Sequence, residues 1–316
     1  TTGNHSTAVG KQALQNNTTA DDNTAVGYQA LKANTTGDEN VGVGNSALGA
    51  NTTANRNVAV GYRALSASNS DDNVALGWEA MGKATTGTDS VAIGKQALKE
   101  VTTGSYNTAI GYNAMDNLTT GNHHVAIGYI ALRSLTTGNY CVGVGNYAAY
   151  LNTTGSRTTA IGYNALGSNT TGNDNTALGA QALDTNSTGS NNVGIGASAL
   201  TANTTASYNV AVGSGALDAN TTGAGSVAIG YEALTAATTG GQNVAIGYRA
   251  LKAATTSNDN VAVGYEALEE NTSGKNIAVG WNALKADAGA VYCTALGYDT
   301  LAHQTGTRSH NTAVGN

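Results

Sequence analysis

The hydrophobic positions of this chain recur with a fixed period. Aligned on the Gly that closes each Ala-Val-Gly-like tripeptide, from Gly10, Gly27 and Gly44 to Gly297 and Gly315, it shows eighteen intervals: fifteen of 17 residues, two of 16 and one of 18. The residue before that Gly is always Val, Ile or Leu, the one before it Ala or Gly, and the third Val, Ile or Thr. Alternation of branched and very small residues over three positions predicts a short strand. Three residues after the Gly stands Ala in 17 of 18 copies, Thr300 being the exception, followed by Leu or Met in all but Ala149. That pair fits a second short extended segment or one tight turn.

Polar positions mark the corners. Asn-Thr-Thr-Gly or Thr-Thr-Gly follows, as at Asn34–Gly37 and Thr119–Gly121, and Asn stands four residues before the reference Gly in most copies. Asn tolerates the left-handed conformation and Gly supplies positive φ, so both read as turns. A 17-residue unit with two or three short strands between such corners is one coil of a solenoid. Helical repeats need about 33 residues or more and leucine-rich repeats about 20–29, both too long for this period. The expected fold is therefore all-β, a parallel β-solenoid (β-roll) of about 19 coils, running as a single continuous repeat domain over residues 1–316.

Stacked coils about 4.7–4.9 Å apart turn each column into a ladder, and nineteen of them span about 85–90 Å. Val and Ile are expected to fill the coil, with the Ala/Gly column between them on the opposite face. Such invariable smallness predicts close approach of another backbone or subunit, most naturally around a symmetry axis. The alternative is that small residues simply fit a narrow coil.

Composition sharpens this picture. With 42 Gly, no Pro, no Phe and 11% charged residues, the apolar complement is mostly Ala and Val, which implies a thin core close to the backbone. The net charge is −6 and the 14 Lys and Arg are scattered, so no electrostatic footprint for nucleic acid is visible. No run of about 18 apolar residues marks a membrane span, and no signal peptide is visible. The chain lacks an initiator Met and begins and ends inside a repeat, as expected of a piece of a longer protein.

The pentapeptide Ser-Val-Ala-Ile-Gly at Ser90–Gly94 and Ser226–Gly230, with Asn-Val-Ala-Ile-Gly and its variants elsewhere, resembles the head repeat of trimeric autotransporter adhesins, the YadA-like head. The longer form with Gly-Tyr-Gln-Ala-Leu and Asn-Thr-Thr-Gly also resembles repeats of bacteriophage tail-fibre proteins. The likeness covers essentially the whole chain. It implies a left-handed parallel β-roll, three chains packed side by side as a homotrimer, and an extracellular location on a bacterial surface or a virion tail. This unit is longer than the family's usual one, and no neck, coiled-coil stalk or membrane anchor accompanies it.

Candidate chemistry is sparse. Of His5, His123, His124, His303 and His310, none recurs with a carboxylate partner, and they read as solvated turn residues. The Gly-rich Gly42–Gly49 stretch is the repeat itself, not a nucleotide loop. Asp-rich corners at Ala20–Asn23 and Ser70–Asn73 do not recur as calcium-binding turns do, so they read as corner-forming Asx residues. No catalytic, cofactor-binding or metal-binding residue is assigned, and no cofactor is expected. Cys141 and Cys293 share the column four before the Gly, as buried thiols or, alternatively, as an interchain bridge near a symmetry axis. Seven Asn-Thr-Thr corners, at Asn17, Asn34, Asn51, Asn152, Asn169, Asn203 and Asn220, are formal glycosylation acceptors that the turn requirement already explains.

The position after the Gly carries a discontinuous aromatic stripe: Tyr28, Tyr62, Trp78, Tyr112, Tyr129, Tyr163, Tyr231, Tyr248, Tyr265, Trp281 and Tyr298. Such a stripe can bind sugars or a partner, or its rings can stack on one another or cover a seam between subunits. The functional expectation is a structural, surface-exposed fibrous rod of an adhesin or tail fibre that presents attachment to a target surface, a host-cell glycan or protein. Positions two and five after the Gly are expected to display the charges that tune that surface. The rival readings are a self-stacking extracellular filament subunit and an ice-binding solenoid; an enzyme is not expected, since no carboxylate cluster breaks the repeat.

Overall fold

The computed structural model describes residues 3–286, 289–303 and 309–316. They form an all-β parallel solenoid with no helix and nineteen three-residue strands, from Thr7–Val9 to Thr312–Val314. The chain divides into two compact units, Thr1–Arg157 and Thr158–Asn316. Within each, every strand pairs in parallel with the next and in register, so that Thr24, Ala25 and Val26 face Val41, Gly42 and Val43 in the first, and Val227, Ala228 and Ile229 face Val244, Ala245 and Ile246 in the second.

One strand per coil is found among the described residues, not two or three. The Ala-Leu pair lies in a turn, and Leu31 has φ 48°. The remaining coil-to-coil bonding passes through turn backbone: Leu31 N–H donates to the Ala47 carbonyl at 3.0 Å and Thr35 N–H to the Thr52 carbonyl at 2.8 Å. Left-handed φ costs a Leu about 1–2 kcal/mol, and full burial of its side chain, about 1.5–3 kcal/mol, offsets it. The reference Gly is fixed by its backbone. At Gly27 φ is +135°, and a Cβ there would lie 2.5 Å from the Gly44 carbonyl oxygen of the next coil.

The strand is turned the opposite way from the expectation. Ala25 and its counterparts through Ala295 are buried, with only Ala8 and Ala313 of the two end strands open to solvent, while the flanking Thr24 and Val26 are half-buried and Ile93, Ile127, Ile229 and Leu296 are exposed. The small column faces the coil interior because little room exists there. At Gly42 an added Cβ would already stand 3.3 Å from Leu31 Cγ and from the Ala47 carbonyl oxygen. The narrow-coil alternative therefore explains the small column, and what lies outside is the β-branched pair.

Two Asn ladders complete the interior. The column four before the Gly, read above as a corner, is buried: Asn40 Nδ2 donates to the Ala54 carbonyl at 2.8 Å, and its Oδ1 accepts from Asn57 N–H at 3.0 Å. The Asn of Asn-Thr-Thr is buried too, Asn51 Nδ2 donating to Asn34 Oδ1 at 2.9 Å and to the Ala54 carbonyl at 3.0 Å. These Asn amides thus meet partners within their coil and one coil away, which removes the desolvation penalty of an unpaired amide. It also places the formal glycosylation acceptors inside the coil, apart from the half-buried Asn17.

The 16-residue coil from Gly61 to Gly77 compensates for its missing corner residue with a side chain. Asn69 Oδ1 accepts from the Thr52 and Thr53 N–H groups at 3.0 and 3.1 Å, the bonds that a Thr carbonyl accepts in other coils.

Candidate functional site

With Ala, Leu and Asn columns turned inward, only the outward columns can meet a partner. The first outward surface is the strand face. Its two columns, one and three residues before the Gly, hold only Val, Ile, Leu and Thr in all nineteen strands, with no charge. The residues are 37–46% exposed at Ile93, Ile127, Leu178, Ile277 and Leu296. Each coil adds a projected patch of about 4.8 by 10 Å, so the nine coils of the first unit present roughly 400 Å², more in accessible area. A patch of that size is at the scale of the largest apolar patches that folded proteins leave exposed, which are often functional.

The aromatic stripe borders this face, and within each unit its rings join into stacks. In the first, Tyr62 and Trp78 stack at 6.1 Å, Lys95 lies over Trp78 and Tyr112 at 5.1 and 5.6 Å, and Tyr112 stacks on Tyr129 at 5.4 Å. In the second, Tyr231, Tyr248, Tyr265, Trp281 and Tyr298 form one column with centroids 4.8–5.7 Å apart. Tyr28 and Tyr163 are exposed in the same column. Rings stacked within 15° of parallel occupy one another's faces and offer a ligand mainly their edges and hydroxyls.

A second ladder escaped the sequence reading. Five residues before the Gly, Tyr106, His123 and Tyr140 stack at 5.0 and 5.1 Å, and Tyr292 meets His310 at 5.0 Å. The signal was a column rich in Tyr and His at a left-handed position, with φ 59° at His123.

The other sequence-stressed residues fall into structural roles. His124, expected in solvent, is instead buried: it replaces Asn in the inner ladder, with Nε2 2.8 Å from the Gly138 carbonyl and Nδ1 accepting from Cys141 N–H at 3.1 Å. Burial pushes its pKa down from 6.5 to about 4. Cys141 and Cys293 are buried in the same column, and the Cys141 Sγ lies 3.2 Å from the Gly155 carbonyl. Thiols aimed into the coil do not reach across a symmetry axis. The Asp corners bond within the protein: Asp38 Oδ1 accepts from Asp21 N–H at 2.8 Å, and Asp72 forms a fork with Arg56 at 2.7 and 2.9 Å that holds its carboxyl below the usual range. Among the described residues no three His, Cys, Asp or Glu gather as a metal site, and no helix is long and apolar enough to cross a membrane. The Thr after Asn spends its hydroxyl on the next coil, as Thr35 Oγ1 donates to the Thr52 carbonyl at 2.9 Å.

The charges two, five and six residues after the Gly largely pair across neighbouring coils. Arg249 and Lys252 share Glu232 at 3.0 and 2.8 Å, Lys285 meets Glu266 and Glu269, Lys99 meets Glu79 at 3.5 Å and Lys83 meets Glu100 at 2.5 Å. Glu266 is held below the usual carboxylate range by its bond from Lys285. No protein-family model matches the chain, and no curated protein matches it.

Proposed function

We propose that this chain is a structural module of an extracellular fibre, a homotrimer whose coils pack laterally through the strand face, in a bacterial surface adhesin or a phage tail fibre. The observation that carries the reading is the uncharged Val/Ile/Leu/Thr face, which occupies both outward strand columns without interruption. A second copy is the fitting occupant because the patch is flat, apolar and repetitive, and a copy offers the same properties at the same spacing. A standard interface buries about 800 Å² per partner, and the face of one nine-coil unit supplies about half of that in projection. The resemblance of the repeat to trimeric adhesin heads and tail-fibre repeats supports three chains and an extracellular setting. The ice-binding reading loses support because the first hydroxyl of the Thr pair is engaged in a ladder bond at Thr35, Thr85 and Thr221, so these pairs do not present a double file of free hydroxyls.

Sedimentation velocity tests the proposal. The chain is expected to sediment as a trimer, and the pair Ile229→Lys with Ile246→Lys, placed on the exposed face, to give folded monomers by circular dichroism. A wild-type monomer, or a double variant of unchanged mass, would overturn it.

A further inference from the structure

On the opposite columns of the first unit lies a shallow trough of about 690 Å³, lined among others by Gln29, Lys32, Ser46, Tyr62, Arg63 and Ser66. It exists because small residues fall together in successive coils. Gly49, Ala50, Ala67 and Gly82 occupy the positions five and six after the Gly, where Lys, Arg or Glu stands in other coils. A volume of this order is that of a ligand site, and this one is open to solvent along its length.

Its charge is unlike the rest of that face. Lys32 and Arg63 make no ion pair among the described residues: Glu79, which lines an adjoining pocket with Arg63, is taken by Lys99 at 3.5 Å, Lys83 at the far rim meets Glu100, and Arg249, Lys252 and Lys285 on the same columns have carboxylate partners. Lys32 and Arg63 stand two coils apart, about 10 Å along the stack, and Lys83 one coil further. Between them lie neutral hydrogen-bonding groups: the Ser46 and Ser66 hydroxyls, the Gln29 amide and the edge of Tyr62. Ser66 Oγ donates to the Gly82 carbonyl at 3.1 Å and keeps acceptor capacity toward the trough.

We infer that this trough binds a carboxylated polysaccharide, a chain of uronate-type sugars, with Arg63 and Lys32 taking successive carboxylates and Ser46, Ser66, Gln29 and Tyr62 meeting ring hydroxyls. The planar Arg fork matches a carboxylate. Two cations about 10 Å apart, neither in an ion pair among the described residues, suit anionic groups separated by neutral sugar, not the dense phosphates of a nucleic acid, which demand many neutralising side chains. The site uses columns that the strand face does not, so it stands whether or not the chains associate.

Isothermal titration of the full chain with a hyaluronan hexasaccharide is the test, with a neutral dextran oligosaccharide and inorganic polyphosphate as comparisons. Hyaluronan is expected to bind, dextran not, and Lys32→Gln with Arg63→Gln to weaken binding at least tenfold while mass and circular dichroism stay unchanged. Absence of hyaluronan binding, equal binding by the double variant, or equally tight polyphosphate binding would each overturn the assignment. Running the same titration on Ile229→Lys/Ile246→Lys separates failure of the trough from failure of the lateral interface.

Discussion

Replacing Ala228 by Leu tests which side of the strand is inside. Ala228 is fully buried, and Ile229, its neighbour in strand Val227–Ile229, is 38% exposed. In the same column at Gly194 an added Cβ would stand 3.2 Å from Leu183 Cγ and from the Ala199 carbonyl oxygen, so a single methyl already fills the slot. Three further carbons must displace backbone. Because Ala211 and Ala245 repeat the slot in register on either side, the displacement has no vacant direction. Overpacking costs about 1–3 kcal/mol, and the upper end, about 3 kcal/mol, is expected here. Ile229→Thr exchanges a part-exposed ethyl group for a hydroxyl, a loss of about 1 kcal/mol. Urea unfolding midpoints measure both. Amide exchange in strands Val210–Val212 and Val244–Ile246 localises the effect, since long repeat arrays need not unfold in one step. An unshifted midpoint for Ala228→Leu would refute the inward assignment of Ala.

Two further outcomes follow from the inner ladders. The folded pKa of His124, about 4, lies below its ordinary 6.5, so the unfolded chain binds more protons between those values; stability is full above about pH 6.5 and falls by roughly 3 kcal/mol as the pH drops toward 4. His124→Asn, the usual residue of the column, is expected to flatten that slope in an acid series of unfolding curves. Asn203→Ala strips Asn186 Oδ1 of its donor, a bond of 2.7 Å, and leaves the Ala206 carbonyl with Asn192 Nδ2 alone and Asn220 Nδ2 with the Gly223 carbonyl alone; a loss of about 1–3 kcal/mol is expected in thermal unfolding, and a loss of only a few tenths contradicts the ladder.

The period made the solenoid legible, because a strict 17-residue spacing leaves few other ways to bury short apolar segments. Facing was not legible, and the reason is physical. Alternation over three residues assigns Val and Ala to opposite sides but does not say which side is inside. Size normally decides, with large apolar residues inward, yet in a coil this thin Leu31 from the turn fills the centre, leaving room for only Ala25 from the strand. The Asn columns misled for a related reason: Asn is a turn residue by habit, and only a ladder of copies one coil apart lets Asn40 be buried without penalty. The aromatic stripe was readable as a column, but its stacking required coil spacing. The trough depended on small residues far apart in sequence, such as Ser46 and Gly82, and on knowing that Lys32 and Arg63 make no ion pair among the described residues while Lys83, Lys99 and Arg249 do.

The repetition of the strand face limits what it can specify. A face that repeats with the coil matches a copy of itself at every axial offset of one coil, about 4.8 Å. Sliding a nine-coil unit by one step leaves eight coils' worth of contact, so side-chain chemistry on that face selects a like partner but fixes its height only weakly. Closure supplies what chemistry does not: three chains related by rotation alone stand level, whereas an offset chain leaves a heterologous contact that cannot close and continues as a filament. The aperiodic features that could distinguish offsets, the short coil bridged by Asn69 and the trough at Lys32 and Arg63, lie on other columns. Substitution within the strand face therefore shifts both forms together. The fibre trimer and the open filament are separated by how mass depends on concentration, constant for the closed ring and rising without limit for the open one.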